Sequence, residues 1–154
     1  MGFLRKEVLK DVISEVFETM FFTDVDFEEC AGPFEFGSET RLENGQGCVV
    51  LRMRISEKFA RTITANFLGL DEAGAGEIAE EDLVDSLKEM ANMVAGGCHA
   101  RAGEPEWKLG IPEAWRSEAE KEDAGRDACA LGFTFSGEPA GTAALEYLPV
   151  EFRC

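Results

Sequence analysis

The sequence predicts an α+β fold of two layers, a mostly antiparallel sheet covered by helices, with a pseudo-twofold internal duplication. Three observations carry this expectation. Apolar stripes at helical spacing are interleaved with stretches in which apolar and polar residues alternate. Several links between strand-like stretches are too short for the crossover that parallel neighbours require, which favours antiparallel pairing. One helical segment also repeats. Asp11-Val-Ile-Ser-Glu15-Val-Phe-Glu18-Thr-Met20 aligns without gaps on Asp85-Ser-Leu-Lys-Glu89-Met-Ala-Asn92-Met-Val, sharing D-x-x-x-E and differing where Glu18 meets Asn92. At 154 residues the chain suits one domain over 1–154 better than two domains with small cores.

The first helix is expected over Lys6 to Phe22, where Val8, Leu9, Val12, Ile13, Val16, Phe17, Met20 and Phe21 follow the i, i+3, i+4, i+7 rule. Glu29 to Leu42 alternates loosely around Gly32-Pro33 and Gly37 and reads as one or two short strands. Asn44-Gly45 is a hairpin signal, and the strand after it, Cys48 to Ile55, is the clearest in the chain. Ser56 then caps a second helix that ends at Gly69, followed by a Gly/Ala loop from Asp71 to Gly76. Glu77, Glu80, Glu81 and Asp82 favour the positive end of a third helix beginning near Ala79. Its stripe of Leu83, Val84, Leu87, Met90, Ala91, Val94 and Cys98 fades after Gly96-Gly97. Three more strands are expected at Trp107 to Ile111, Ala130 to Phe135 and Ala143 to Phe152, with Pro149 suggesting an edge or bulge in the last. Glu113 to Asp127 is strongly charged and reads as an exposed loop or short helix.

Charge and composition exclude several function classes. With 15 basic and 31 acidic residues the net charge is −16, so nucleic-acid backbones and anionic bilayers are repelled, and neither is expected as a partner. No apolar run approaches the roughly 20 residues that span a bilayer, and Met1 to Lys6 lacks the apolar core of a signal peptide, so a cytoplasmic location is expected. The five cysteines are odd in number, widely spaced and without a CxxC, which points to buried free thiols rather than a disulfide framework or zinc site. A single histidine, His99, excludes HExxH and two-histidine metal sites. A catalyst built from His99 and Cys98 would need a thiol of lowered pKa.

The third helix carries the strongest chemical signal. At about 100° per residue, Asp85, Glu89, Asn92 and Gly96 fall on one line opposite the apolar stripe. Glu89 and Asn92 stand one turn apart and can address one ligand together. An acidic residue on a helix most often belongs to a solvated face. An asparagine in mid-helix, with mediocre propensity and no cap to form, points to an employed amide.

The segment Asp85-Ser-Leu-Lys-Glu89-Met-Ala-Asn92 resembles the D/S-x-x-x-E-x-x-N signature of the CheC/CheX/FliY family of chemotaxis phosphatases, and within it the CheX branch. The order of elements from about Gly47 onward resembles the family layout too, through to Leu109-Gly110-Ile111-Pro112. Pro105 and Pro112 compete for the proline that follows the signature. The resemblance implies a CheC-like fold with pseudo-equivalent first and third helices, and hydrolysis of the phospho-aspartate of a CheY-like response regulator in chemotaxis signalling. It implies that Asn92 orients the attacking water and that Glu89 pairs with a lysine of the regulator. Asp85, Met93 and Gly96 are expected on the partner-binding surface, although Asp85 reads equally as a capping or solubilising residue. No cofactor of the chain's own is implied, because Mg²⁺ is expected in the regulator. A homodimer is implied as well. The alternative from another class is a non-catalytic regulator-binding or flagellar-switch-like interaction module.

Overall fold

The computed structural model describes residues 5–71, 77–103, 106–117 and 127–149. The chain runs α1 (Lys6–Met20), β1 (Asp26–Phe27), β2 (Phe36–Asn44), β3 (Gly47–Ile55), α2 (Glu57–Leu68), α3 (Glu80–Ala102), β4 (Lys108–Leu109), β5 (Glu113–Arg116), β6 (Asp127–Phe135) and β7 (Glu138–Pro149). One seven-stranded sheet runs in the order β1-β6-β7-β3-β2-β4, with β5 also paired to β2. Every pairing is antiparallel.

The duplication is visible in this topology. Each long helix is followed by short strand material and then by a hairpin, β2-β3 after α1 and β6-β7 after α3. The short strands cross over between halves: β1 pairs with β6, whereas β4 and β5 pair with β2. The halves meet where β3 lies antiparallel to β7, from Gly47↔Pro149 to Ile55↔Gly141. This pairing makes β7 a central strand. The sequence signal at Pro149 pointed to an edge or bulge; the proline stands opposite Gly47, at the end of this pairing among the described residues.

Alternation along the strands fixes which face meets the helices. Val49, Leu51, Met53 and Ile55 of β3 join Phe36 and Leu42 of β2 and Leu131, Phe133, Ala143 and Leu145 of the second hairpin in one core cluster. The helices contribute Leu9, Ile13 and Phe17 from α1, Phe59 and Ile63 from α2, and Leu83, Leu87, Met90 and Val94 from α3. Phe17 sits at its centre, 5.3 Å from the Phe59 ring and 5.6 Å from that of Phe133. Cys48 is disulfide-bonded, so the expectation of free thiols fails there, whereas Cys30 and Cys98 are free.

Element ends differ from the expected ones for local reasons. Helix α1 stops at Met20 because Phe22 takes a left-handed φ of 53°, which turns the Thr23 N–H onto the Phe17 carbonyl at 2.9 Å. Helix α2 is capped as the sequence indicates, the Ser56 hydroxyl accepting from the Phe59 N–H at 3.1 Å and Gly69 closing the helix at φ 70°. Helix α3 runs past Gly96-Gly97 to Ala102, because packing outweighs the low helix propensity of glycine there. A Cβ on Gly97 would lie 2.7 Å from Val12 Cγ1, so the glycine is what lets α3 lie against α1. Glu113–Arg116, expected in a loop or short helix, is strand β5. Residues 118–126 of that segment, 72–76 of the Gly/Ala loop, Pro105, 150–152 of the last expected strand and Cys154 lie outside the described residues.

Candidate active site

Helix α3 presents its outward line because three constraints hold it. Its apolar stripe, fully buried at Leu83, Leu87, Met90 and Val94, sits on the sheet, and Gly97 sets its distance from α1. The third constraint is ionic and acts on its first turn. Arg116 of β5 donates from Nε to Glu80 at 2.6 Å and from Nη1 to Glu57 of α2 at 2.9 Å, while its guanidinium lies 4.5 Å from the Phe36 ring centroid. The hydrogen bond from Arg116, followed by that from Arg61, holds the Glu57 carboxyl below the usual carboxylate range. Glu80, Glu81 and Asp82 also answer the helix dipole where Ala79, at the N-cap, offers no side-chain acceptor.

With the stripe buried, Asp85 and Glu89 are exposed and Asn92 is half-buried. Among the described residues no hydrogen bond or ion pair engages any of the three side chains. A carboxylate and an amide one turn apart, both uncommitted, can bind a cation on a partner and a water at the same time. Met93 is half-buried and packs against the core cluster. A Cβ at Gly96 would meet Leu109 Cδ2 at 3.9 Å, an ordinary contact that places β4 along the border of this face. No group of three His, Cys, Asp or Glu side chains among the described residues is arranged to hold a metal.

The corresponding positions of α1, Asp11, Glu15 and Glu18, are also exposed, but Glu15 is engaged by a hydrogen bond from Arg101 of α3. Sequence reasoning missed this link. Arg101 carries the ordinary signal of a basic residue in a last helical turn, yet its partner on another helix is set by the packing of α1 on α3. The Cys98–His99 catalyst is contradicted. Cys98 is fully buried in the core and burial pushes its thiol up to about 12, so it supplies no thiolate near neutrality.

Residues 43–136 match the family described as Chemotaxis phosphatase CheX. A search of curated protein sequences gave no significant match. Among solved structures, the chemotaxis protein CheX from Vibrio vulnificus superposes with a TM-score of 0.76 at 16% identity, covering 96% of this chain and 97% of that one. A CheX protein from Desulfovibrio desulfuricans gives 0.69 at 12% identity over 92% and 97%. A chain of the CheX-CheY-BeF3-Mg²⁺ complex from Borrelia burgdorferi gives 0.67 at 13% identity over 92% and 96%.

Proposed function

The chain belongs to the CheX family of chemotaxis phosphatases, and from that premise we propose that it hydrolyses the phospho-aspartate of a CheY-like response regulator, using Asn92 and Glu89 of α3. The observation that carries this reading is the pair itself: an amide and a carboxylate one turn apart on an outward helical line, neither side chain engaged among the described residues.

An acyl phosphate is an activated substrate, so what a partner protein must add is a water held in line with phosphorus. The Asn92 side-chain oxygen accepts a hydrogen bond from that water, and a neutral amide brings no charge against the phosphoryl oxygens. The water oxygen bonds to phosphorus as the bond from phosphorus to the aspartate oxygen breaks. The carboxylate leaves with that bond's electron pair, and the water's proton ends on the phosphate product or in solvent. Glu89 forms a charge-assisted hydrogen bond with a lysine of the regulator and so fixes the approach. Asp85, Met93 and Gly96 border the docking surface. The Borrelia complex supports a CheY-like partner, with Mg²⁺ present in the assembly. The non-catalytic alternative predicts binding without turnover.

The test is the rate of phosphate loss from a phosphorylated response regulator of the same cell. The protein accelerates it, and Asn92→Ala lowers the accelerated rate by about 100-fold or more while binding and melting temperature hold. Binding without acceleration by the parent protein supports the interaction module instead.

We extend the proposal to a homodimer located in the cytoplasm. Among the described residues the sheet ends in the short strands β1 on one side and β4 and β5 on the other, and open edges invite pairing with a second chain. Light scattering is expected to give twice the 16.9 kDa of one chain, and a monomer at micromolar concentration contradicts it.

A further inference from the structure

A docking surface built from the polar line of α3 alone has no apolar anchor. Protein interfaces carry a desolvated apolar centre within a polar rim, and a few large side chains supply most of the binding energy. Along α3 no large apolar side chain is exposed among the described residues, because Val84 and Met93 pack against the core cluster. Five of the exposed large apolar side chains, Phe22 and Phe67 among them, lie at the C-terminal ends of α1 and α2. Trp115 lies over Gly37 on the sheet face turned away from the helices. There remain Leu109 of β4 and Ile111 of the turn that follows it, 38% and 88% exposed.

That turn adjoins the α3 line and is held at both ends. Gly96 lies about 6 Å along the helix axis from Asn92. Leu109 Cδ2 would stand 3.9 Å from a Cβ placed on Gly96. Ile111 follows within about 7 Å of chain from Leu109. The Gly110 N–H donates to the Arg41 carbonyl at 2.7 Å, and a Cβ on Gly110 would lie 3.1 Å from that same oxygen, so the glycine seats the turn on β2. Pro112 fixes the next φ, and β5 rejoins β2 where Glu113 pairs with Glu39. An exposed isoleucine on a backbone anchored at both ends loses little freedom on being covered. A second copy of the chain would reach this edge by strand pairing, but β4 has two residues, β5 has four, and Gly110-Ile111-Pro112 breaks the row of N–H and C=O groups between them.

We propose that Ile111, backed by Leu109, is the apolar anchor by which this chain docks a CheY-like response regulator beside the Glu89/Asn92 pair. The inference rests on the phosphatase reading for the identity of the partner and adds the contact that retains it. A standard interface takes about 800 Å² from each partner, a patch on the order of 30 Å across, so one centred on Asn92 extends over β4 and its turn. Glu89 orients the regulator by charge, and burial of Ile111 slows its release.

The test follows dephosphorylation of a phosphorylated response regulator of the same cell, and calorimetric binding of that regulator's beryllofluoride adduct, for the parent, Ile111→Ser, Ile111→Leu and Phe22→Asn. Both positions are exposed, and asparagine tolerates the φ of 53° at Phe22, so all four proteins should melt alike. Burying one isoleucine side chain corresponds to about tenfold or more in affinity. Ile111→Ser should therefore raise KM and Kd by about tenfold or more while kcat holds, to the same extent at about 50 and 300 mM salt. Ile111→Leu should restore most of the loss, and Phe22→Asn should match the parent. A parent that binds the adduct without turnover, with Ile111→Ser still about tenfold weaker, defeats the phosphatase reading and upholds this one. A parent that does not bind the adduct, an Ile111→Ser protein that binds as the parent does, or a loss shared by Phe22→Asn would overturn the proposal. So would an Ile111→Ser protein whose mass in light scattering differs from the parent's, which marks the turn as a contact between copies.

Discussion

In α1 the carboxylate of Glu15 is engaged by Arg101, and the residue three positions on is Glu18; in α3 the Glu89 side chain has no hydrogen bond or ion pair among the described residues, and the residue three positions on is Asn92. Both helices pack an apolar stripe into the same core and are followed by equivalent hairpins. The duplication thus supplies two similar platforms, and the proposed chemistry separates them at two points. One is the amide-for-carboxylate difference. The other is the exposed ion pair that Arg101 forms with Glu15, for which Glu89 has no counterpart among the described residues.

Making α3 resemble α1 is the most severe way to break the comparison. Asn92→Glu puts a negative charge beside the phosphoryl group, and at about 4 Å two unit charges repel by roughly 4 kcal/mol at an effective dielectric near 20. Regulator dephosphorylation should fall to the regulator's own rate, read as phosphate release. Glu89→Gln keeps the shape and removes the charge. It should lower kcat/KM by about tenfold and flatten the salt dependence of regulator binding, measured from 50 to 300 mM salt.

Stability changes come next and test the shared platform. Gly97→Ala forces a methyl against Val12, a β-branched residue only 2% exposed, and should cost about 1–3 kcal/mol in denaturant melts. Val12→Ala in the same chain should recover part of that loss, because the two sites are in contact. Glu57→Gln tests the clamp on the start of α3. Since the folded Glu57 carboxyl titrates below its ordinary value, its contribution is present above the unfolded value and disappears as the pH falls through the folded one. The stability gap between Glu57→Gln and the parent should therefore be full near neutrality and close under acid. The smallest effect is expected from Arg101→Gln. Its pair with Glu15 is largely solvent-exposed, so the stability loss should stay under about 1 kcal/mol with turnover unchanged.

Periodicity was enough to place the three helices of the described residues, the β3 strand and the Ser56 and Gly69 caps, because those signals are local. The D-x-x-x-E repeat carried the pseudo-twofold relation, which the crossed pairing of β1 with β6 and of β4 and β5 with β2 displays in space. Features that depend on distant partners were illegible. Gly97 read only as the place where the apolar stripe fades, since nothing local indicates that Val12 fills the space. The strand at Glu113–Arg116 hid behind a high charge because β5 is half-exposed, with outward Glu113 and Trp115 alternating with Ala114 and Arg116. The outward line of Asp85, Glu89 and Asn92 was legible from helical spacing alone. The packing of Met93 against the core and the bordering of Gly96 by Leu109 needed the folded chain.

The most direct test of the single-site account sets the parent, Asn92→Ala and Glu18→Ala side by side, following phosphate loss from one phosphorylated regulator at saturating protein. Both changed residues lie on solvent-accessible faces of their helices, so all three proteins should fold alike. The account predicts that Glu18→Ala matches the parent and that Asn92→Ala falls to the regulator's unassisted rate. A folded Glu18→Ala protein that loses turnover, or an Asn92→Ala protein that retains it, would contradict the assignment of the chemistry to α3.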